Sequence, residues 1–166
     1  MKERGYTDLT GVTLSPGDVK ICEDKGHTIK KYDFSFLPQK DGYYDESVDF
    51  IFLRQTLEHS PYPIFTLMEY NRVLKQGSKI YIEVPVINQA RKHEWNDNHY
   101  SVLGNEQLAA LLKRTGFALN KFDNFQFELN IPKEDGGKVD SNDPNTYTTV
   151  HENYLCIVAT KERPLD

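Results

Sequence analysis

The stretch "FIFLRQTLEHSPYPIFTLMEYNRVLKQGSKIYIEVP", Phe50 to Pro85, decides the fold. Its first residues complete the nearly continuous apolar run "VDFIFLR", as expected for a strand covered on both faces. A polar tip follows, with Arg54, Gln55, Glu58 and His59 close together. Ser60, Pro61 and Pro63 then start a helix, and Ile64, Leu67, Met68 and Leu74 recur at helical spacing as its expected buried stripe. Gly77 is expected to end that helix, and "KIYIEVP" reads as the next strand.

The pattern continues on either side. "LTGVTLS" is a short β-branched strand running into "SPGD", where Ser15 caps a helix, Pro16 takes its first position and Asp18 sits in its positive first turn. Val19 and Cys22 share one face of that helix, which should stop near Gly26. "HTIKKYD" gives a strand ending near Asp33. Downstream, "NEQLAALLKRTGF" is an amphipathic helix presenting Leu108, Leu111 and Leu112, with Gly116 as its terminal cap. Two late strands follow, "FDNFQFEL" with alternating Phe125, Phe127 and Leu129, and "YLCIVAT". The segment 132–149 between them is dense in Gly, Asp, Asn and Pro and reads as a mobile loop. Strands alternating with helices predict a single α/β domain over residues 1–166, its sheet parallel except near the end.

Composition narrows the possible partners. A net charge of −5 argues against bulk electrostatic binding to nucleic acid or anionic membrane. No apolar run approaches the roughly 20 residues of a membrane helix, and the charged start "MKERGYTD" does not read as a signal peptide. Cys22 and Cys156 stand far apart without metal-ligand spacing, as expected of reduced core thiols in a cytoplasmic protein. The five histidines lack the spacing of a zinc site, so no metal is expected.

Ligand crevices of open α/β sheets lie beyond the carboxyl ends of the strands. Those ends carry Thr13 and Ser15, then Asp33 to Ser35, then Arg54 to His59, then Glu83 and Pro85. Polar groups at every exit suit a small polar ligand, although strand ends are also polar simply because they meet water.

Five segments occur in order: "GVTLSPGDV", "YDFSFLP", "VDFIFLRQTLEH", "EYNRVLKQGSKIYIEVP" and "LLKRTGF". Together they resemble the class I S-adenosylmethionine-dependent methyltransferases of the small-molecule type. The resemblance covers about Leu9 to Phe117 and implies a Rossmann-like sheet with an antiparallel last strand. It implies S-adenosylmethionine as cofactor and, if the chain is active, methyl transfer to a small molecule. Gly11, Thr13 and Ser15 would belong to the cofactor wall, with Thr13 where an acidic residue usually holds the ribose. Asp33 would accept from the adenine amino group, with Phe34 packed on the ring. Arg54, Gln55 and Leu57 would floor the methionine portion. His59 would face the substrate, and "HEWNDNHYSVLG" would cover the site, offering His99 and Tyr100 as acid/base groups.

Structural roles stand beside these. His59 could brace the turn, His99 and Tyr100 could stitch a loop to the sheet, and Glu83 is expected to orient Arg54 as an ion pair. Trp95 could be a core anchor or a substrate platform. His93 and His151 have no distinguishing context.

The resemblance also implies elements that this chain should lack. The family's first strand, its GxGxG turn and the following helix need about 25 to 30 residues, and Leu9 has eight before it. That turn lets the backbone approach the cofactor closely. Losing three or four hydrogen bonds of about 1 kcal/mol each would move binding from micromolar towards millimolar. In the family's strand order the missing strand lies between those at Leu9 and Val48. Its absence would leave two unpaired edges. Direct pairing of the flanking strands, a strand from a second copy or another polypeptide, or a longer natural chain would repair this. The alternative to an enzyme is an inert methyltransferase-fold module that pairs with itself or with a complete homologue.

Overall fold

A computed structural model describes residues 5–133 and 137–163. Its elements in chain order are β1 (Thr10–Thr13), α1 (Pro16–Asp24), β2 (Thr28–Lys31), β3 (Val48–Arg54), α2 (Pro63–Val73), β4 (Leu74–Pro85), α3 (Asn105–Arg114), β5 (Phe117–Pro132) and β6 (Tyr147–Lys161).

Local chemistry sets the boundaries. Ser15 Oγ accepts from the Asp18 N–H at 3.2 Å and Pro16 opens α1. At the end of α3, Gly116 adopts φ +84° where an added Cβ would lie 2.6 Å from both Arg163 O and Asn71 Nδ2, so only glycine fits.

β1 pairs with β2 in parallel, and a second sheet has the order β3-β4-β6-β5. β3 and β4 are parallel, and β6 runs antiparallel to both β4 and β5, so it alone reverses the direction of that sheet. This is the α/β, mostly parallel architecture expected from sequence. Direct pairing of the two flanking strands is not realised: among the described residues β1 has no ladder to β3. The small sheet is held instead through the segment after β2. Tyr70 Oη donates to Phe34 O at 3.1 Å, Glu69 Oε1 accepts from the Leu37 N–H at 2.9 Å, and Val12, Tyr32 and Phe34 pack against the core.

The core gathers Leu53, Leu57, Leu67, Leu74, Ile80, Ile82, Leu108, Leu112, Leu155 and Ile157 between the larger sheet, α2 and α3. Three expectations change here. Ile64 and Met68 are 37% and 38% exposed, and the buried face of α2 is Thr66, Leu67, Tyr70, Asn71 and Val73. An apolar-stripe reading misses this face because its polar members are satisfied. Thr66 Oγ1 meets Ser60 Oγ at 2.7 Å, and Asn71 Nδ2 donates to Thr115 O at 2.9 Å and Arg163 O at 3.0 Å. The helix also ends at Val73 rather than Gly77. Leu74 turns extended, and Gly77 (φ +77°) lies in β4 where its register slips, Val48 facing Leu74 but Phe50 facing Lys79. Finally, β3 is covered on one face only. Leu53 is buried, whereas Phe50 and Phe52 are 45% and 48% exposed, Phe52 stacking on Tyr81 at 4.9 Å.

β5 and β6 extend towards each other to Pro132 and Tyr147. The link between them is built of Asx turns, the Asn142 and Asn145 N–H groups donating to Asp140 Oδ1 and Asp143 Oδ1 at 2.9 Å each. Residues 134–136 of the expected loop lie outside the described residues.

Candidate active site

The exit of β3 is a sharp bend. Gln55 adopts φ +51° and its N–H donates to Glu83 O at 2.9 Å, after which Leu57–His59 forms a single 3-10 turn. Leu57 anchors that turn in the core at 2% exposure, which turns Glu58 inward and leaves His59 partly exposed. The segment from His93 to Gly104 lies across the exit. Glu58 O accepts from the Tyr100 and Ser101 N–H groups at 2.8 and 3.0 Å, and Ser101 Oγ donates to Ser60 O at 2.6 Å.

This arrangement builds a ladder of rings. His59 and His99 meet edge to face at 4.8 Å, and His99 stacks flat on His93 at 5.6 Å. His93 in turn meets Tyr154 at 5.9 Å. Carbonyl and carboxylate partners define two tautomers, because a ring nitrogen facing either must donate. His59 Nδ1 donates to Asn98 O at 2.8 Å, leaving a lone pair on Nε2. His93 Nε2 donates to Glu152 Oε2 at 3.1 Å, and Glu152 Oε1 accepts from the Arg91 N–H at 3.0 Å.

Glu58 is 1% exposed, and neither carboxylate oxygen has a hydrogen-bond partner within the protein. His59 Nε2 lies 4.0 Å from its Oε1. Burial pushes the Glu58 carboxyl above the usual carboxylate range. His99 Nδ1 is buried without a partner, and burial lowers the His99 pKa. The result is two imidazoles, each with an unpartnered ring nitrogen, beside a poorly solvated carboxyl, a place that favours uptake of positive charge.

The residues expected at the other exits are mostly tied locally. Thr13 Oγ1 accepts from the Ser15 N–H at 3.1 Å, leaving its own hydrogen to donate. Asp33 Oδ1 accepts from the Ser35 N–H at 2.8 Å, which leaves Oδ2 for a ligand. A cavity of about 510 Å³ opens beside Asp33, lined also by Tyr32, Phe36, Pro38 and Lys40. Phe34 is half-buried against the core, and Gly11 sits under Ile29, whose Cδ1 fills the space of a Cβ. Arg54 Nε donates to Glu83 Oε1 at 3.0 Å while its side chain stays 68% exposed, so the expected ion pair exists and leaves the guanidinium edge open. Leu57 belongs to the core and supports the turn from beneath.

His59 and His99 are thus brought together. Tyr100 gives the cluster its N–H, with the residue 64% exposed, and Trp95 at 78% exposure is no core anchor. Sequence reasoning missed Glu58 as a site member, and it missed His93 and Glu152. Glu58 stood in the quoted tip; nothing local marked the other two, whose contact spans 59 residues.

The cofactor of the resembling family can be tested against these groups. Gln55 Nε2 is buried without an acceptor at the bend, and Asp33 Oδ2 and the Thr13 hydroxyl are open to a ligand. Their donor and acceptor types suit the polar edges of an adenosine-bearing molecule.

A family model described as a methyltransferase domain matches residues 1–82. Among curated proteins none matches. Solved structures do. An S-adenosylmethionine-dependent methyltransferase from Archaeoglobus fulgidus aligns over 96% of this chain and 78% of its own, at 21% identity and TM-score 0.66. The YcgJ protein of Bacillus subtilis aligns over 93% and 82%, at 14% identity and TM-score 0.67. An S-adenosylmethionine-dependent methyltransferase from Thermotoga maritima aligns over 91% and 72%, at 22% identity and TM-score 0.60. The strand order and the matched family model agree: residues 1–82 match a methyltransferase domain, and the fold is that of the S-adenosylmethionine-dependent methyltransferases.

Proposed function

We propose that this methyltransferase-like chain acts as an enzyme that methylates a small molecule held against the Glu58–His59–His99 cluster. The observation that carries this reading is the unbonded Nε2 of His59, fixed by donation from Nδ1 to Asn98 O and standing 4.0 Å from the Glu58 carboxylate. S-adenosylmethionine, when bound, supplies an electrophilic methyl group. Asp33 would hold the adenine amino group, Thr13 a ribose hydroxyl, and Gln55 a further acceptor atom, with Phe34 packing nearby. Gly11, Ser15, Arg54 and Leu57 shape that wall. His59 would take the proton lost by the acceptor, and Glu58 would stabilise the imidazolium formed. His99, its pKa lowered by burial, would stay neutral and press the acceptor towards the methyl group; the Tyr100 ring would close the outer side.

Calorimetric titration of the purified chain with S-adenosylmethionine and S-adenosylhomocysteine tests this. Binding tighter than about 100 micromolar is expected, whereas no heat at millimolar ligand, where binding energy falls to about 4 kcal/mol, would remove the enzyme reading.

A second reading, an inert module completed by a partner, is favoured by the unbridged edges of β1 and β3. Unpaired central edges recruit strands, and a second copy or another polypeptide could supply one. Mass in solution separates these: a strict monomer removes the self-pairing form. The free thiols of Cys22 and Cys156 favour a cytoplasmic setting. No helix among the described residues is long and apolar enough to cross a membrane.

A further inference from the structure

Glu58, His59 and His99 each offer a ligand atom, and these atoms lie within 4.8 Å of one another. Three features set this group apart from an ordinary polar cluster. The Glu58 side chain is 1% exposed, yet both its oxygens lack hydrogen-bond partners. Leaving a buried carboxyl unpaired costs about 1–3 kcal/mol or more, so the position calls for something to pair with it. The Nδ1 of His99 is likewise buried and unpartnered. And His59 donates its Nδ1–H to a backbone carbonyl, the arrangement that fixes the tautomer and orientation of a metal-binding imidazole.

We propose that Glu58, His59 and His99 form a binding site for a divalent transition-metal ion, with open coordination positions facing the acceptor side. Two neutral imidazoles and one carboxylate are the donor set of zinc, iron(II), cobalt(II) or nickel(II) rather than of magnesium or calcium. With bonds of about 2.0 to 2.2 Å the ligand atoms must sit roughly 3 to 3.4 Å apart. The present separations therefore close by up to about 1.4 to 1.8 Å, which side-chain rotation must supply. Backbone bonds from Tyr100 and Ser101 to Glu58 O hold the two ligand-bearing segments together without the ion. Sequence spacing gave no sign of the site, because His59 and His99 come from different segments and only Glu58 and His59 adjoin.

Binding of the ion stands on this geometry alone; its role rests on the methyl-transfer reading. An acceptor hydroxyl or thiol in an open position would ionise on the metal, its proton passing to solvent, and the loaded chain would not need His59 as a base.

The chain, stripped of metal, is titrated with zinc ions by calorimetry and with cobalt ions by visible absorption. One ion per chain is expected, bound at about micromolar strength or tighter, with a cobalt spectrum of oxygen and nitrogen ligands. Losing a residue that merely orients a ligand weakens metal binding about 10- to 100-fold, so E58Q, H59Q and H99Q should each weaken it at least about 100-fold. H27Q and H151Q, which lie away from the cluster, should leave it unchanged. E58Q is isosteric and the two imidazoles are partly exposed, so thermal melting of each variant should report a folded protein. Absence of binding at roughly 100 micromolar metal, or binding retained in any of the three variants, overturns the site. A thiolate charge-transfer band in the wild-type cobalt spectrum also overturns it and needs no variant at all. Failure to bind S-adenosylmethionine leaves these outcomes untouched, so the metal site and the enzyme reading fail separately.

Discussion

His93 lies flat against His99, ring centroids 5.6 Å apart and planes within 3°, while Glu152 holds the far side of His93 through a 3.1 Å hydrogen bond. Glu152 is completely buried and also accepts from the Arg91 N–H. β6 thereby fixes, through one carboxylate, the segment that carries His99 over the exit of β3.

Removing that carboxylate should loosen the whole cover. Glu152→Ala leaves the His93 and Arg91 N–H groups unpaired in a buried site, at about 1–3 kcal/mol each. A loss of roughly 2 to 5 kcal/mol is expected in urea denaturation, with Glu152→Gln losing much less. A variant within about 0.5 kcal/mol of wild type would show that the contact is not structural.

The Arg54–Glu83 pair should behave differently despite its similar length. Glu83 is buried and keeps a second donor, Tyr81 Oη at 3.1 Å, but Arg54 is 68% exposed, and solvent screening from its side holds the pair to about 0–1 kcal/mol. Arg54→Ala is therefore expected to change the melting free energy by less than about 1 kcal/mol. A larger loss would assign the pair a structural role that its exposure argues against.

Alkaline pH should weaken the fold through Cys156. Burial pushes its thiol up, opposed by the hydrogen bond with Tyr81 Oη at 3.3 Å, with Glu83 and Asp123 raising it further and Lys121 lowering it. The folded thiol thus deprotonates above its unfolded value of about 8.5. Its contribution is complete below that value and is lost as pH rises through it towards the folded pKa. Stability measured from pH 7.5 to 10 should fall more steeply for wild type than for Cys156→Ala; parallel curves would exclude the thiol as the cause.

How far the sequence revealed these features depended on whether the signal was local. Ser15 and Pro16 announced α1, and the polar exit of "VDFIFLR" announced the site, because caps and strand ends are written in neighbouring residues. The buried face of α2 was hidden, because Thr66 and Asn71 read as surface until their distant partners Ser60, Thr115 and Arg163 are known. Phe50 and Phe52 show the converse. A continuous apolar run indicates that a strand could be covered on both faces, but not that an element is present to cover the second. Glu58 was in plain view beside His59, yet its orphaned oxygens depend on a turn that only Leu57 packing produces.

Gly116 tests how tightly the end of α3 meets the chain's last strand. An alanine Cβ there would stand 2.6 Å from a backbone oxygen, Arg163 O, and from the Asn71 amide that bonds it. A φ of +84° adds about 1–2 kcal/mol of left-handed strain. Gly116→Ala should cost more than about 2 kcal/mol in thermal or urea unfolding. Gly26→Ala, where φ is +71° but an added Cβ meets no atom within 4 Å, should cost about the strain. Equal losses at the two sites would mean that the close approach is relieved at no cost.

Arg72 joins the small sheet to the large one, and a final pair of substitutions isolates that role. Its Nε and Nη2 form a fork on Glu69 at 2.9 and 2.7 Å. Nη2 also donates to Leu37 O at 2.8 Å, and Nη1 reaches Tyr43 O at 3.0 Å and Asp45 Oδ1 at 2.7 Å. With no ladder between β1 and β3, these bonds to the 37–45 segment do work that strand pairing does elsewhere. A lysine cannot reproduce the planar fork, so Arg72→Lys should lose about 2–3 kcal/mol, some two or three hydrogen bonds of charged type at about 1.5 each less what the ammonium recovers. Proteolysis should then cut the 37–45 segment before the larger sheet unfolds. Asp45 sits at the exposed end of the network, and the bond from Arg72 holds its carboxyl below the usual range. That bond is present at neutral pH and is lost as pH falls through the folded pKa, so Asp45→Asn should flatten the acid limb of the stability curve and leave neutral stability nearly unchanged. If Asp45→Asn instead exposed the segment to protease as strongly as Arg72→Lys, the surface ion pair and not the half-buried fork would be what joins the two sheets.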